Sequence, residues 1–202
     1  MNHRFLTAPS WRECAWHSQG NAYTGVGSRT TPAAVLDFMA DMAAALARRR
    51  WILRSGGADG ADMAFEDGAL SADGSTEIFL PWAGFNGHSS RLCNVDAKAL
   101  SRAAKMHPVW ERLSPGAQKL HGRNVYQVLG RNLDKPSRFL VCWTPDGVVS
   151  GEYCTRATGG TGMAIRIACA ENVPVLNLCR QETRKMLKDW VRADCALPEP
   201  WL

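Results

Sequence analysis

The chain has 202 residues, of which 46% are hydrophobic and 21% charged, with a net charge of +5. Those figures fit one folded α/β domain over 1–202 and exclude a disordered polar chain. No apolar run approaches the roughly 20 residues that cross a bilayer, and residues 1–10 lack the apolar core of a signal peptide, so a cytoplasmic location is expected.

Seven cysteines are present, an odd number with no Cys-x-x-Cys pair. Several, notably Cys142 and Cys169, sit within apolar runs. Buried reduced thiols are expected rather than zinc or a disulfide framework, so neither a metal nor a cofactor is anticipated.

Residues 1–20 read as irregular and rich in large side chains (Phe5, Trp11, Trp16, His17), suited to packing across the domain or onto a partner subunit. Residues 22–26 read as a first buried strand, with Gly27-Ser28-Arg29 as the turn after it. Thr30 or Thr31 is then expected to cap a helix that has Pro32 at its first position. Val35, Leu36, Met39, Met42, Ala43 and Leu46 recur at helical spacing and make one apolar face. The helix is predicted to end at Arg50, where Arg48-Arg49-Arg50 suits the C-terminal dipole better than it suits a nucleic-acid patch. A second strand follows at 51–53, and the crossover helix between the two makes them parallel.

Residues 55–62 form a glycine-bearing turn that opens a short helix to about Leu70, and Asp73-Gly74 breaks the chain. A third strand is predicted at 77–80, with 81–87 as the loop at its C-terminal end. Helices follow at 94–106, closed by His107-Pro108, and at 115–130. In the second of these Leu120, Val125, Val128 and Leu129 face inward, while His121-Gly122-Arg123-Asn124 interrupts the apolar pattern. Residues 138–143 are the clearest strand, with apolar residues fit for burial on both faces. A turn at 144–147 and a loop at 148–157 lead to a helix opened by 159–162. A fifth strand at 173–178 and an amphipathic helix at 182–193 complete the chain. This alternation predicts a Rossmann-like doubly wound, mostly parallel sheet of about five or more strands flanked by helices. Its core would span 22–178, with 180–202 as a C-terminal helix and tail.

Three segments share one character: Gly25-Val26-Gly27-Ser28-Arg29, then Ser55-Gly56-Gly57-Ala58-Asp59-Gly60-Ala61-Asp62, then Thr158-Gly159-Gly160-Thr161-Gly162. Each turns into a helix, presenting bare N–H groups and the positive end of the helix dipole. All lie at strand C-termini, where doubly wound sheets bind ligands. One composite site for a phosphorylated ligand is expected. Arg29 would be a bidentate phosphate donor at a helix start where the dipole disfavours a cation. Asp59 and Asp62 would divide between helix capping and a ribose hydroxyl. Trp82, Phe85 and Asn86 would stack on a base and read its edge, or equally anchor their loop. Arg123 and Asn124 are ligand contacts by virtue of the polar break they make, and Trp143 and Thr144 should reach the pocket rim. Asn177 is expected to bond within the core, and His107 to end its helix rather than act as a base. The chain has no Gly-x-x-x-x-Gly-Lys-Ser/Thr loop, no His-x-Glu with Cys-x-x-Cys and no Gly-x-Ser-x-Gly elbow. No catalytic residue is assigned.

The three motifs in this order resemble the SLOG superfamily of Rossmann-like domains, which includes the DNA-processing protein DprA, the LOG enzymes, YpsA-like proteins and nucleotide sensors of bacterial immunity. The resemblance spans about 22–178 and implies a pocket for a nucleotide-derived ligand, in a homodimer or higher homo-oligomer. On matching positions it implies that Gly27, Ser28 and Arg29 line one side. Ser55, Gly56, Gly57, Ala58 and Asp62 would form the phosphate turn, and Gly159, Gly160, Thr161 and Gly162 a second clamp. The LOG hydrolases carry Pro-Gly-Gly-x-Gly-Thr-x-x-Glu, whose Glu serves catalysis. Here Thr158 replaces the Pro and Arg166 stands at the Glu position. The expectation is therefore a protein that holds its ligand without turnover. A small phage-encoded sponge for a cyclic ADP-ribose-like immune signal would fit. LOG-like N-glycosidase activity and DprA-like single-stranded DNA binding are the alternatives, nucleic acid being less favoured than a small molecule.

Overall fold

The apolar run 139–142 divides its side chains between two cores. Leu140 and Cys142 join one with Val125, Val128, Ile165 and Ile167, while Phe139 and Val141 join another with Met39, Met42, Leu53 and Phe65. A strand covered on both faces is what such a run dictates. The computed structural model describes residues 21–193; the segment 1–20, Cys14 and Cys195 lie outside them. Five strands form one all-parallel sheet: β1 (Ala22–Gly25), β2 (Ile52–Ser55), β3 (Thr76–Ile78), β4 (Leu140–Cys142) and β5 (Val175–Asn177). Their spatial order is β3-β2-β1-β4-β5.

Six α-helices flank the sheet: α1 (Ala33–Arg48), α2 (Ala61–Ser71), α3 (Ala97–Met106), α4 (Pro115–Leu129), α5 (Thr161–Ala170) and α6 (Gln181–Arg192). Apolar residues of α1, α2 and α6 fill one core, and those of α3, α4 and α5 fill the other. The Rossmann-like expectation holds, because each crossover carries an apolar stripe that only a sheet face can cover.

Several boundaries differ from the sequence reading. Strand β3 stops at Ile78, just after which Phe79 N makes a last bond to Ser55 O of β2 and Leu80 N, facing the sheet edge, donates to Leu92 O. Strand β2 runs on to Ser55, so Arg54 and Ser55 pair with Glu77 and Ile78. Pro32 occupies the cap position of α1, and neither Thr30 nor Thr31 caps it. Instead Thr31 Oγ1 donates to Ser28 O at 2.7 Å and tightens the preceding turn. Helix α1 ends at Arg48, and Arg50 has left-handed φ. Cys169 is exposed at the end of α5, correcting its expected burial, while Cys142 is buried. Gly122 has a packing reason: a Cβ there would lie 2.6 Å from Val95 Cγ1 and 3.0 Å from Leu100 Cδ2, so the glycine admits the chain entering α3. His107 closes α3, as expected.

Candidate functional site

In this strand order the connection from β1 leads to β2 on one side, while β4 enters on the other. The C-terminal edge between β1 and β4 is thus the topological switch point, where the two outgoing loops diverge and leave a crevice. A cavity of about 370 Å³ occupies it, within the range of about 300–1,000 Å³ usual for small-molecule sites. It is lined by 26–29 after β1, by Ala58 and Asp62, by one face of α4 and by 157–161 before α5.

The first two turns are built against each other backbone to backbone. Ser28 N donates to Trp143 O at 3.2 Å. Gly60 has φ 80, and a Cβ there would lie 2.9 Å from both Arg29 Cα and Ser28 O. A Cβ on Gly27 would lie 2.7 Å from Ala61 Cβ. These two glycines let α2 start directly beneath the β1 turn. The third turn is held from two sides. Asn124 Nδ2 donates to Gly160 O at 3.2 Å, and Thr158 Oγ1 donates to Asp146 Oδ2 at 2.5 Å. Asp146 also accepts from Thr144 Oγ1 at 2.7 Å, and Asn177 Nδ2 donates to that hydroxyl at 2.7 Å. Burial pushes the Asp146 carboxyl up, but hydrogen bonds from Thr158, Thr144 and the Val148 backbone outweigh it and hold the group below the usual carboxylate range.

The floor is made of buried polar groups. Arg123 Nη1 donates to Gly56 O at 2.6 Å and lies 3.7 Å from Asp62 Oδ2, and its Nη2 donates to Asn124 Oδ1 at 3.3 Å. Burial raises the Asp62 carboxyl to about 6, although Arg123 and the backbone N–H groups of Ala58, Gly27 and Gly56 pull it down. Burial likewise weakens protonation of Arg123, with Asp62 opposing and Arg29 adding to the effect. Gln127 is fully buried, and neither of its side-chain polar atoms has a hydrogen-bond partner among the described residues. Beside them, His121 is brought down to about 4, first by burial and then by the charges of His107, Arg123 and Arg166.

Of the residues singled out from sequence, Gly27, Ser28, Arg29, Ala58, Asp62, Arg123, Asn124, Gly159, Gly160 and Thr161 come together on the cavity wall. Arg29, Gly159 and Gly160 are exposed at the rim, whereas Asp62, Arg123 and Asn124 are buried. Gly159 has φ 63, and a Cβ on it or on Gly160 would meet nothing within 4 Å, so both present bare backbone to open space.

Others of that set lie off the cavity. Ser55 is buried and donates to Gly25 O at 2.7 Å, tying β2 to β1. A Cβ on Gly56 would overlap the Arg123 guanidinium and lie 2.5 Å from Gln127 Nε2, so this glycine makes room for the floor. Gly57 packs toward Leu80, and Gly162 packs against Thr158 and Cys154. Asp59 accepts from Asn86 Nδ2 at 3.1 Å, and Asn86 also donates to Gly57 O at 3.2 Å. Neither aspartate caps α2, whose cap position is Gly60; Asp62 lies within the helix and accepts from Ala58 N at 3.4 Å instead. Trp82 meets the buried Phe85 edge-on with centroids 5.3 Å apart and is itself exposed, and neither ring lines the cavity. Thr144 is fully buried in the Asn177–Asp146 chain, and Trp143 packs on the α1–α2 core. The core role expected for Asn177 is what the geometry gives.

Sequence reasoning missed His121, Gln127 and Thr158 as wall residues. A signal existed for two of them: His121 and Asn124 are three apart, and Arg123 and Gln127 four apart, on a helix otherwise apolar inward.

A family model described as DNA recombination-mediator protein A matches residues 13–125, more than half of the chain. The match takes in the first two glycine turns and most of α4, and the third turn lies beyond it. No curated protein and no solved structure matches. No helix among the described residues is long and apolar enough to cross a membrane. Among those residues no group of three or more His, Cys, Asp or Glu side chains could hold a metal ion.

Proposed function

The chain belongs to the DNA recombination-mediator protein A family, and from that premise we propose that it binds a nucleotide-derived ligand by its phosphate at the switch-point cavity and holds it unchanged. The observation that carries this reading is the rim. Arg29 is exposed there with no ion pair among the described residues, beside Ser28 and across from the bare backbone of Gly159 and Gly160. An uncompensated guanidinium on a concave surface, faced by glycines with no side chain to block close approach, is what a phosphate recruits.

Retention without cleavage is supported by Arg166. It stands where the LOG pattern has its catalytic Glu, and its Nη2 donates to Cys154 O at 3.1 Å, away from the cavity wall. In the finer form of this reading the protein sequesters a cyclic ADP-ribose-like immune signal, as a phage anti-defence sponge would, and does so as a homo-oligomer. Incubation with candidate cyclic nucleotides, followed by heat release and chromatography, tests it. Intact ligand is expected, and a consumed ligand would show an N-glycosidase instead. Arg29→Ala should weaken binding of AMP about tenfold while leaving thermal stability within about 1 °C, as expected for an exposed charge.

Single-stranded DNA binding is a second reading, favoured by the family match alone. It predicts affinity for oligonucleotides that falls steeply between low and moderate salt as counterions are released. A cavity of about 370 Å³ takes one nucleotide unit more readily than a continuous strand, which is why the small-molecule reading is preferred.

A further inference from the structure

Among the described residues that line the cavity, His121 Nδ1, Arg123 Nε and both amide atoms of Gln127 are buried without a hydrogen-bond partner, and Gln127 offers a donor and an acceptor side by side. It is fully buried, it lines the cavity, and both its Oε1 and its Nε2 are without partners among the described residues. Its neighbours are already committed. Arg123 spends its two terminal nitrogens on Gly56 O, Asn124 Oδ1 and Asp62, and Asn124 Nδ2 is spent on Gly160 O. Glycine at position 56 leaves room for the amide beside the Arg123 guanidinium, since a Cβ there would lie 2.5 Å from Gln127 Nε2. Folding selects against an orphaned buried amide, so its retention calls for a partner delivered from the cavity.

The charges separate the two ends of the site. At the floor the Arg123 guanidinium is compensated by Asp62, so this end has little pull on an anion. At the rim Arg29 has no acidic partner among the described residues. A phosphate therefore belongs at the rim and an uncharged group at the floor. Val26, Ala117, Leu120 and Ala164 supply apolar wall between them, suited to the faces of a planar ring.

The geometry points to Gln127 as the specificity-determining residue of the site, reading a nucleobase edge that carries an amino donor next to a ring-nitrogen acceptor, as the edge of adenine does. A carboxamide matches that edge with two parallel hydrogen bonds, Oε1 accepting from the amino group and Nε2 donating to the ring nitrogen. This rests on the phosphate reading above, and the probes are chosen so that the two fail separately.

Calorimetric titration of the full chain with AMP, purine riboside 5′-monophosphate (which lacks only the amino group) and ribose 5-phosphate decides it. AMP should bind about tenfold or more tighter than the purine riboside nucleotide, as a bidentate contact discriminates. In Gln127→Leu that advantage should vanish while binding of ribose 5-phosphate is unchanged. Should Gln127→Leu fail to fold, Gln127→Met, of similar length and without polar hydrogens, carries the same test. Equal affinity of the wild type for the two nucleotides overturns the proposal, as does an AMP advantage that survives the substitution. If all three probes bind alike and Arg29→Ala weakens them together, the phosphate reading stands and the base reading falls. If none binds, both fall.

Discussion

Arg123 Nη1 lies 3.7 Å from Asp62 Oδ2, and this pair joins α4 to α2 with both side chains buried. The geometry is that of a stabilising clasp, but the magnitudes say otherwise. Burial lifts Asp62 from 3.8 to about 6 even with Arg123 beside it, so the carboxylate is still ionised at neutral pH but holds its proton to higher pH in the fold than in the unfolded chain. The native state keeps this proton where the unfolded chain has released it. The contribution is therefore full below pH 3.8 and is lost as pH rises to about 6. At 1.36 kcal/mol per pH unit the loss amounts to about 3 kcal/mol.

Asp62→Asn mimics the protonated form and should equal or exceed the wild type in stability at pH 7.5. Its advantage should shrink on going to pH 4.5, the swing being on the order of 2–3 kcal/mol. Urea unfolding at the two pH values checks this. A difference that stays constant with pH would mean that Asp62 ionises normally in the fold.

His121 gives the opposite slope. Burial, followed by the charges of His107, Arg123 and Arg166, brings it from 6.5 down to about 4. The unfolded chain takes up a proton before the native state does, so stability present above pH 6.5 is lost as pH falls toward 4. His121→Phe keeps a ring against His107, whose centroid lies 4.6 Å away. It should remove up to about 3 kcal/mol of acid destabilisation over that window. Melting curves from pH 7 to 4.5 should flatten relative to the wild type.

Gly60→Ala should loosen the first two turns together. The native φ of 80 and ψ of −118 suit only glycine, and the new Cβ would press on Ser28 O and Arg29 Cα. A cost of about 1–3 kcal/mol is expected, together with weaker AMP binding because Arg29 shifts. Gly160→Ala is the control: its Cβ would meet nothing within 4 Å, so stability should hold.

Asn177 spans β5 and the loop after β4. Its Oδ1 accepts from Thr144 N at 3.3 Å and Cys179 N at 3.0 Å, and its Nδ2 donates to Thr144 Oγ1 at 2.7 Å and Val148 O at 2.8 Å. Asn177→Ala leaves these groups buried without partners and should cost at least about 2 kcal/mol. The same change frees Thr144 and so loosens the Asp146–Thr158 bond at the third turn. Ligand affinity should fall along with stability, whereas Asp59→Ala, at an exposed contact, should move neither by much. Chemical denaturation and AMP titration of the two variants separate the cases.

The alternation of apolar runs and helical stripes was enough to read a doubly wound, mostly parallel sheet, because strand and helix periods are properties of the local chain. The same holds for the glycine turns, since only glycine accepts the backbone at Gly60 and Gly159 without strain. Which face of each turn meets the cavity depended on partners far along the chain. Ser55 and Gly56 read as a phosphate cradle, yet β2 continues to Ser55, and Gly56 lies under Arg123, which comes from 67 positions away. Trp82 and Asn86 read equally as base contacts or as loop anchors, and their contacts to Phe85 and to the Gly57–Asp59 turn are visible only in the structure. Gln127 was not singled out from the sequence. It became an orphan of the cavity floor because Gly122 lets α4 pack on the segment leading into α3 and so fixes which side of the helix faces the sheet. Local sequence carries backbone preferences, whereas the direction and company of a side chain come from packing between segments distant in sequence.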